Sequence, residues 1–366
     1  MSSFSIFKVP YLVQQLILGI AEPCELISIS LCSKRVHFLV KSSYSRRFLE
    51  WRHSFVGGNI LSEVQIWTPQ GPRSMVKNKV FGVLSEEAEK KKAETRKLSD
   101  LKFEANSETH ECQVALDEKG NLDTIWKDVE LGKRMLPIFI TELFNIEIDD
   151  AIVDGAGVAA LKFLNNRQRN KIRRISCPVD TYKACTSGEM ISGPHLQSLL
   201  TDHPTTRSLL IWAKTPENFR LPENLPPFKM MYFKHAPWIT IEDIMKMDIE
   251  EITVGEDKIS SLDFNRFLKH WLNGGSPKLK SLTVGLLNLD NNVFEDLEQI
   301  TVFSNQPREI PVMDNQMIFR FPNGHDITRK DGRIISVINN IAGLHIMVLP
   351  KPEGEPELVA GIQAMD

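Results

Sequence analysis

Covalent chemistry needs a nucleophile, a base or a set of metal ligands at usable spacing. The residues of this chain that could supply one are scattered. Nine histidines are present, and none falls in an HExxH or HxH pattern that would turn two imidazoles onto one metal. His270 lies inside an amphipathic run, where packing or a solvent-facing role is expected. The five cysteines, Cys24, Cys32, Cys112, Cys177 and Cys185, include no CxxC pair. Neither a zinc site nor a redox motif follows, and the odd count fits free thiols in a reducing compartment. Asp154-Gly-Ala-Gly157 comes nearest to a phosphate loop. It lacks both a following GK[ST] and a third glycine, so it reads as a turn. Gly57-Gly58 reads as a linker. The expectation is a chain without catalytic residues, without metal and without cofactor, and not an enzyme.

Two charged stretches remain. Arg167, Arg169, Lys171, Arg173 and Arg174 form a basic cluster that suits a phosphate or acidic partner, or else a helix end whose dipole favours cations. Glu86 to Lys97 mixes signs, with Glu86 before Lys90 and Glu87 before Lys91 in the favourable order. That pattern is expected of a solvated helix or a flexible excursion. A formal net charge of −3 gives no bulk attraction to nucleic acid or membrane, and neither is expected as a partner.

The elements that must position any site come next. With 42% hydrophobic and 25% charged residues over 366 positions, the chain has the makings of an ordinary soluble protein of two or three domains. No basic segment precedes an apolar run at the N-terminus, and no stretch reaches about 18 uninterrupted apolar residues. Cytoplasmic or nuclear residence is expected by elimination. Residues 9 to 49 are patterned as three short helices. Pro10 suits a first turn, and Val13, Ile17, Leu18 and Ala21 follow at helical spacing. Pro23 opens a second helix with Leu26 and Ile29 on one face. Ser33 caps a third carrying Val36, Leu39 and Val40. Such a unit buries too little surface to stand alone and must lean on a partner or on the rest of the chain. Residues 52 to 84 are poorly periodic.

From about residue 110 strands alternate with helices, and Asp117-Glu-Lys-Gly120 reads as a hairpin tip. An apolar pattern then recurs: Ile172, Ile175, Cys177; Phe228, Met231, Phe233; Ile249, Ile252, Val254; Leu279, Leu282, Val284. A weaker copy has Leu210 and Trp212, with Arg207 in the first place. The spacing is close to that of leucine-rich repeats, with a wandering period. Helices fit between: one capped by Thr240 with Ile241, Ile244 and Met245; one with Phe264, Phe267, Leu268 and Trp271, stopped by Gly274-Gly275; one capped by Asp290 or Asn291 with Val293, Phe294, Leu297 and Ile300. Alternation at Met317, Phe319, Phe321 and at Leu344, Ile346, Val348, with turns at Pro322-Asn-Gly324 and Asp331-Gly332, predicts a small antiparallel sheet closing the repeats. Residues 351–366, rich in proline and glutamate, read as a disordered tail.

The opening segment contains Val9-Pro-Tyr-Leu-Val13, Ile17-Leu18, Glu22-Pro-Cys-Glu-Leu26 and Leu31-Cys-Ser-Lys-Arg35. With these residues it resembles the F-box family, its nematode branch in particular. They follow the family's order of Leu-Pro, apolar helix, acidic-Pro turn, leucine-rich helix, and Cys or Ser before Lys-Arg. Val9 stands where Leu is usual, Gln14 and Gln15 replace an apolar step, and Leu16 falls where an acid is common. Asp263-Phe-Asn-Arg-Phe-Leu-Lys-His-Trp271, Leu279-Lys-Ser-Leu282 and Ile327-Thr-Arg-Lys-Asp-Gly332 look like the F-box-associated region of the same branch.

The resemblance implies a substrate-recognition adaptor of a Skp–cullin–F-box E3 ubiquitin ligase. Val9, Pro10, Val13, Ile17, Leu18, Pro23, Leu26 and Leu31 occupy positions that the family uses for the Skp-type linker or for the F-box core. The alternative is a leucine-rich-repeat-like scaffold that recruits no ligase. The domains expected are an F-box at 1–50, an irregular linker with a charged helix at 51–109, a repeat-like substrate-binding region at 110–350, and the tail. The fold class expected is α/β: a three-helix F-box, a degenerate parallel α/β arc, and a small antiparallel C-terminal sheet.

If the repeats are leucine-rich, the intervening strand residues line the concave face and await a target protein. That stripe holds Ser176, Ile211, Tyr232, Thr253 and Thr283, flanked by Arg174, Leu209, Met230, Glu251 and Ser281. Arg174, Ile211, Tyr232, Glu251, Thr253 and Thr283 are the target-contact candidates. A register one residue off would bury them instead.

Overall fold

The structure is a computed structural model. It describes residues 8–21, 23–31, 33–44, 52–56, 61–69, 75–85, 99–105, 108–116, 122–145, 147, 150–153, 157–177, 190–203, 206–255, 258–285, 290–298, 300–312, 317–340 and 343–349. The expected charge run Glu86 to Lys97, the hairpin tip at Asp117–Gly120, Gly57-Gly58, Asp154 to Ala156 of the glycine cluster, and the tail 351–366 lie outside the described residues. The chain is mixed α/β and divides into two compact units. One comprises Met1–Pro216 with Pro222–Phe228, the other Glu217–Leu221 with Lys229–Asp366.

The first unit opens with three helices, α1 (Tyr11–Ile20), α2 (Pro23–Ser30) and α3 (Lys34–Tyr44). Pro10 stands one step ahead of the first turn, with its carbonyl accepting from the Val13 and Gln14 N–H groups. The Ser33 hydroxyl accepts from the Val36 N–H and starts α3 as its position predicted. Strands β1 (Arg52–Val56), β2 (Leu61–Pro69) and β3 (Met75–Ser85) come next. Then follow β4 (Ser99–Ala105), β5 (Glu108–Leu116) and β6 (Leu122–Trp126). These pair β1–β2–β3–β6–β5–β4, all antiparallel except β3 with β6.

Beyond β6 lies α4 (Val129–Phe144). Asp128 caps it by accepting from the Leu131 N–H, and Asn145 ends it at φ 50°. It is buried almost all round through Met135, Leu136, Ile138, Phe139, Ile140, Leu143 and Phe144. Gly132 is required there, because a Cβ would lie 2.7 Å from the Trp126 ring. His37 of α3 stacks 5.7 Å from Phe139, which seats the N-terminal helices on this core. Strands β7 (Asp150–Ile152), β8 (Arg174–Cys177) and β9 (Ser208–Lys214) then run parallel, with α5 (Gly157–Arg167) and α6 (Gly193–Thr201) as crossovers, and β7 pairs β1.

The second unit begins with β10 (Met230–His235), β11 (Glu251–Val254) and β12 (Ser281–Val284), parallel and paired in chain order. Their crossovers are α7 (Ile241–Lys246) and α8 (Ser261–Leu272). Each starts with a capping box, Thr240 with Asp243 and Ser260 with Asp263. β13 (Ile300–Val312), β14 (Met317–Thr328), β15 (Ile334–Asn340) and β16 (Gly343–Val348) form an antiparallel meander, and β16 pairs β12. Met231, Ile252, Leu282, Ile346 and Val337 share one sheet face by register, as do Phe233, Val254, Val284 and Leu344. All are buried, and Phe264, Phe267, Leu268 and Trp271 of α8 are buried with them. Arg329 locks the β14–β15 turn to the end of α8. It is bidentate to Asp331 at 2.9 and 2.6 Å and donates to the Trp271 carbonyl.

Three expectations change. Residues 52–84, read as poorly periodic, fall largely in three strands. The register shift between Val64 and Gln65 breaks the two-residue period there, so the alternation never accumulates. The helix expected after Asp290 is one 3-10 turn, Asn291–Phe294. Asp296 in the left-handed region (φ 57°) breaks the chain, and Ile300 opens a strand. Pro322-Asn-Gly324 lies within β14 rather than at a turn between strands. Among the described residues no helix is long and apolar enough to cross a membrane.

Candidate functional site

The sequence places large apolar residues at most positions of α1, and the fold buries few of them. α1 has no side-chain cap, no acid in its first turn and no base in its last, and Leu18 is its one buried residue. Tyr11 is 61% exposed, Leu12 75%, Val13 38%, Leu16 64% and Ile20 84%, and Phe38 on α3 is 68% exposed. Leu12, Leu16 and Ile20 stand four apart and so share one helix face. A contiguous apolar stripe of this kind is a candidate interaction surface.

The residues assigned to linker contact divide within this unit. Pro10 and Val13 are exposed; Val9, Ile17 and Leu31 are half-buried; Leu18 and Leu26 belong to the core. Pro23 opens α2. Tyr11, Leu12, Leu16 and Ile20 were missed, although the i, i+4, i+8 spacing of Leu12, Leu16 and Ile20 could have found the stripe. Leu16 registered only as a departure from the family pattern. Polar groups pin the helices from behind, with Gln15 donating to the Ser43 hydroxyl at 2.7 Å and Ser43 to the Leu39 carbonyl.

The second candidate surface is the sheet face of the second unit opposite the buried rows. Register puts Tyr232, Thr253, Thr283 and His345 in one row across four strands, and Met230, Glu251, Ser281 and Met347 in the next. Tyr232, Glu251, Thr253, Ser281 and Thr283 are half-buried, whereas Met230 is buried. Burial raises the Tyr232 phenol pKa. The Thr283 hydroxyl is hydrogen-bonded to His345 Nδ1 at 2.9 Å. His345 is buried, which pushes its pKa down to about 4, so the ring is neutral near pH 7. Sequence reasoning missed His345, yet the alternation of Leu344 and Ile346 already places it on the opposite face.

Arg174 and Ile211 lie in the first unit. There the ladder aligns Ile175 with Leu209 and Cys177 with Ile211. The sequence reading had aligned Ile175 with Leu210, one residue off. Ile211 is therefore on the same face as buried Cys177 and is itself buried, as is Leu209, so neither can be offered as exposed. The cause is local. Leu209 to Ala213 is a continuous apolar run without alternation, as befits a parallel strand covered on both faces. Arg174 is half-buried.

Part of the basic cluster closes the end of a helix. Lys171 donates to the Asn165 carbonyl at 2.8 Å near the end of α5, and Arg167 pairs Glu142 at 2.8 Å. Of the thiols, Cys112 and Cys177 are buried and form no disulfide among the described residues, and burial pushes Cys112 up to about 12, which disfavours the nucleophilic thiolate. Among the described residues no group of three or more His, Cys, Asp or Glu is placed to hold a metal ion.

Residues 220–284, which carry β10, α7, β11, α8 and β12, match the family described as F-box associated. A stretch of 54 residues, 15% of this chain, is 39% identical to the E3 ubiquitin-protein ligase hecw-1 of Caenorhabditis elegans. That match spans 4% of the length of hecw-1. Over 297 residues the chain is 18% identical to the Skn-1 dependent zygotic transcript 15 protein of Caenorhabditis elegans, covering 79% of this chain and 81% of the relative. No solved structure matches the chain. The comparisons thus give the second unit an F-box-associated region, within a chain similar over most of its length to a nematode protein.

Proposed function

We propose that the chain is a non-catalytic adaptor of a Skp–cullin–F-box ubiquitin ligase. On this reading α1 to α3 are a three-helix F-box that holds the Skp-type linker, and through it the cullin. The β10–α7–β11–α8–β12 units are degenerate leucine-rich-repeat-like modules, and their open face meets a target protein. The observation that carries the reading is the apolar stripe of α1, with Leu12, Leu16 and Ile20 each more than 60% exposed. It belongs to the segment that resembles an F-box, and an F-box-associated region follows it in the chain. Catalysis is by proximity: the adaptor raises the local concentration of target lysines near a ubiquitin-carrying enzyme, so no side chain of its own need form a bond. The chain works in the cytoplasm or nucleus.

Affinity capture tests this. Bait chains with and without Leu12→Asp/Leu16→Asp are compared in lysate. The linker and cullin should disappear from the variant's captures, because two charges cannot enter an apolar interface without large desolvation cost, while target proteins persist. Captures that lack linker and cullin with the wild-type bait too would favour the scaffold alternative.

A further inference from the structure

Strand β14 departs from the alternation that β10, β11, β12 and β16 obey. His325 pairs Val337 and Ile327 pairs Ile335, which puts His325 and Ile327 on the helix-covered face. The contact of His325 with Phe294, 4.4 Å between ring centroids, fits that face. Period two then assigns Phe321 to the same face. The Phe321 ring instead lies 5.5 Å from His345, whose register and bond to Thr283 place it on the opposite, open face. β14 must therefore cross from one face to the other between Phe321 and His325. The crossing falls at Pro322-Asn-Gly324, the tripeptide whose composition predicts a turn. Opposite it β13 shifts register between Ser304 and Arg308. A bulge on one strand facing a Pro–Gly segment on the other is what bends a hairpin sharply. Beyond the bend, Arg308–Val312 pair only Met317–Phe321, while β15 pairs no further along β14 than His325. To reach His345 on β16, the arm has to pass over β15.

We propose that this arm is a flap seated on the open face of the second unit, latched by Phe321 on the Thr283–His345 pair. Phe321 is buried although it lies past the last β14–β15 pair, and His345 is buried with it. The flap stands over the end of the row Tyr232–Thr253–Thr283–His345. If that row receives a target, as the proposed function has it, the target must displace the flap or bind against it. The flap itself does not depend on the adaptor reading.

Hydrogen exchange on the full chain, read by mass spectrometry, tests the latch without any target. In Phe321→Ala the backbone amides of Arg308, Glu309, Ile310, Val312 and Met317–Phe321 should exchange on the order of tenfold faster, with those of His325–Thr328 unchanged. Unchanged exchange in the arm overturns the proposal. So does equal acceleration through β14, β15 and β16, which would make Phe321 an ordinary core residue. Thr283→Val removes the hydroxyl that holds His345 and keeps the strand. It should speed the same amides by roughly threefold, and it decides the matter if Phe321→Ala does not fold. Linker binding is read on the same samples. Confined exchange without linker binding would retain the flap and reject the adaptor, and the reverse result would reject the flap alone.

Discussion

Helices α1 and α8 are both rich in large apolar residues, and the fold treats them in opposite ways. α8 begins with the Ser260–Asp263 capping box and ends in Lys269 and His270, where its dipole favours cations. It buries Phe264, Phe267, Leu268 and Trp271, and Leu262, at 56%, is its one well-exposed large apolar side chain. α1 has no such cap or charge and leaves five large side chains in water. A helix fitted to its own chain carries the signals that start and stop it. A helix whose apolar surface is completed by something outside the chain can do without them, since binding supplies what local signals do not. Composition therefore does not separate the buried helix from the exposed one; capping and the covering layer do.

The largest effect that could break this contrast is truncation in the two helices. Trp271→Ala should cost about 3–5 kcal/mol by urea unfolding, while Leu16→Ala changes stability by less than about 0.5 kcal/mol. Comparable losses would mean that α1 is core. Next is the Arg329–Asp331 pair beside Trp271. The Arg329 side chain is 5% exposed and its ring contact with Trp271 is 4.7 Å. Asp331→Ala leaves that guanidinium without its carboxylate and should cost roughly 3 kcal/mol. Arg329 holds the Asp331 pKa well below its ordinary range. The pair thus contributes stability above about pH 4 that is lost as the carboxylate protonates, and the variant's acid unfolding should be flatter there.

A smaller effect, specific to the first unit, comes from His203. It is fully buried, neither ring nitrogen has a hydrogen-bond partner among the described residues, and burial pushes its pKa down to about 4. The unfolded chain takes up a proton below about pH 6.5 that the folded chain refuses, so stability falls as pH drops from there towards 4. At pH 5, His203→Leu should recover about 2 kcal/mol relative to its effect at pH 7.5. A pH profile unaltered by the substitution would show that the ring reaches a partner or water. Smallest is the cap: Ser260→Ala should lower stability by about 1 kcal/mol.

Where each side chain had a local reason to be where it is, the sequence could be read. Thr240 and the Phe264–Trp271 face predicted α7 and α8, and the alternation of Leu344 and Ile346 predicted β16. Reading failed where the deciding partner was distant in sequence. In β9, Arg207 and Ser208 both donate to the Arg173 carbonyl, and that ladder contact fixes a register which the unbroken apolar run could not. The composition of Pro322–Gly324 predicted a turn, but β14 pairs with β13 on both sides of it and keeps it within a strand. On α1 the residues were legible and their exposure was not, because exposure depends on which layers the rest of the chain provides.

The most direct test of the adaptor account is calorimetric titration of the purified chain with a Skp-type linker, beside the Leu12→Asp/Leu16→Asp variant. The account predicts binding by the wild type, at least tenfold weaker binding by the variant, and an unchanged unfolding midpoint in the variant. Equal affinity for both, or no binding by either, would contradict it.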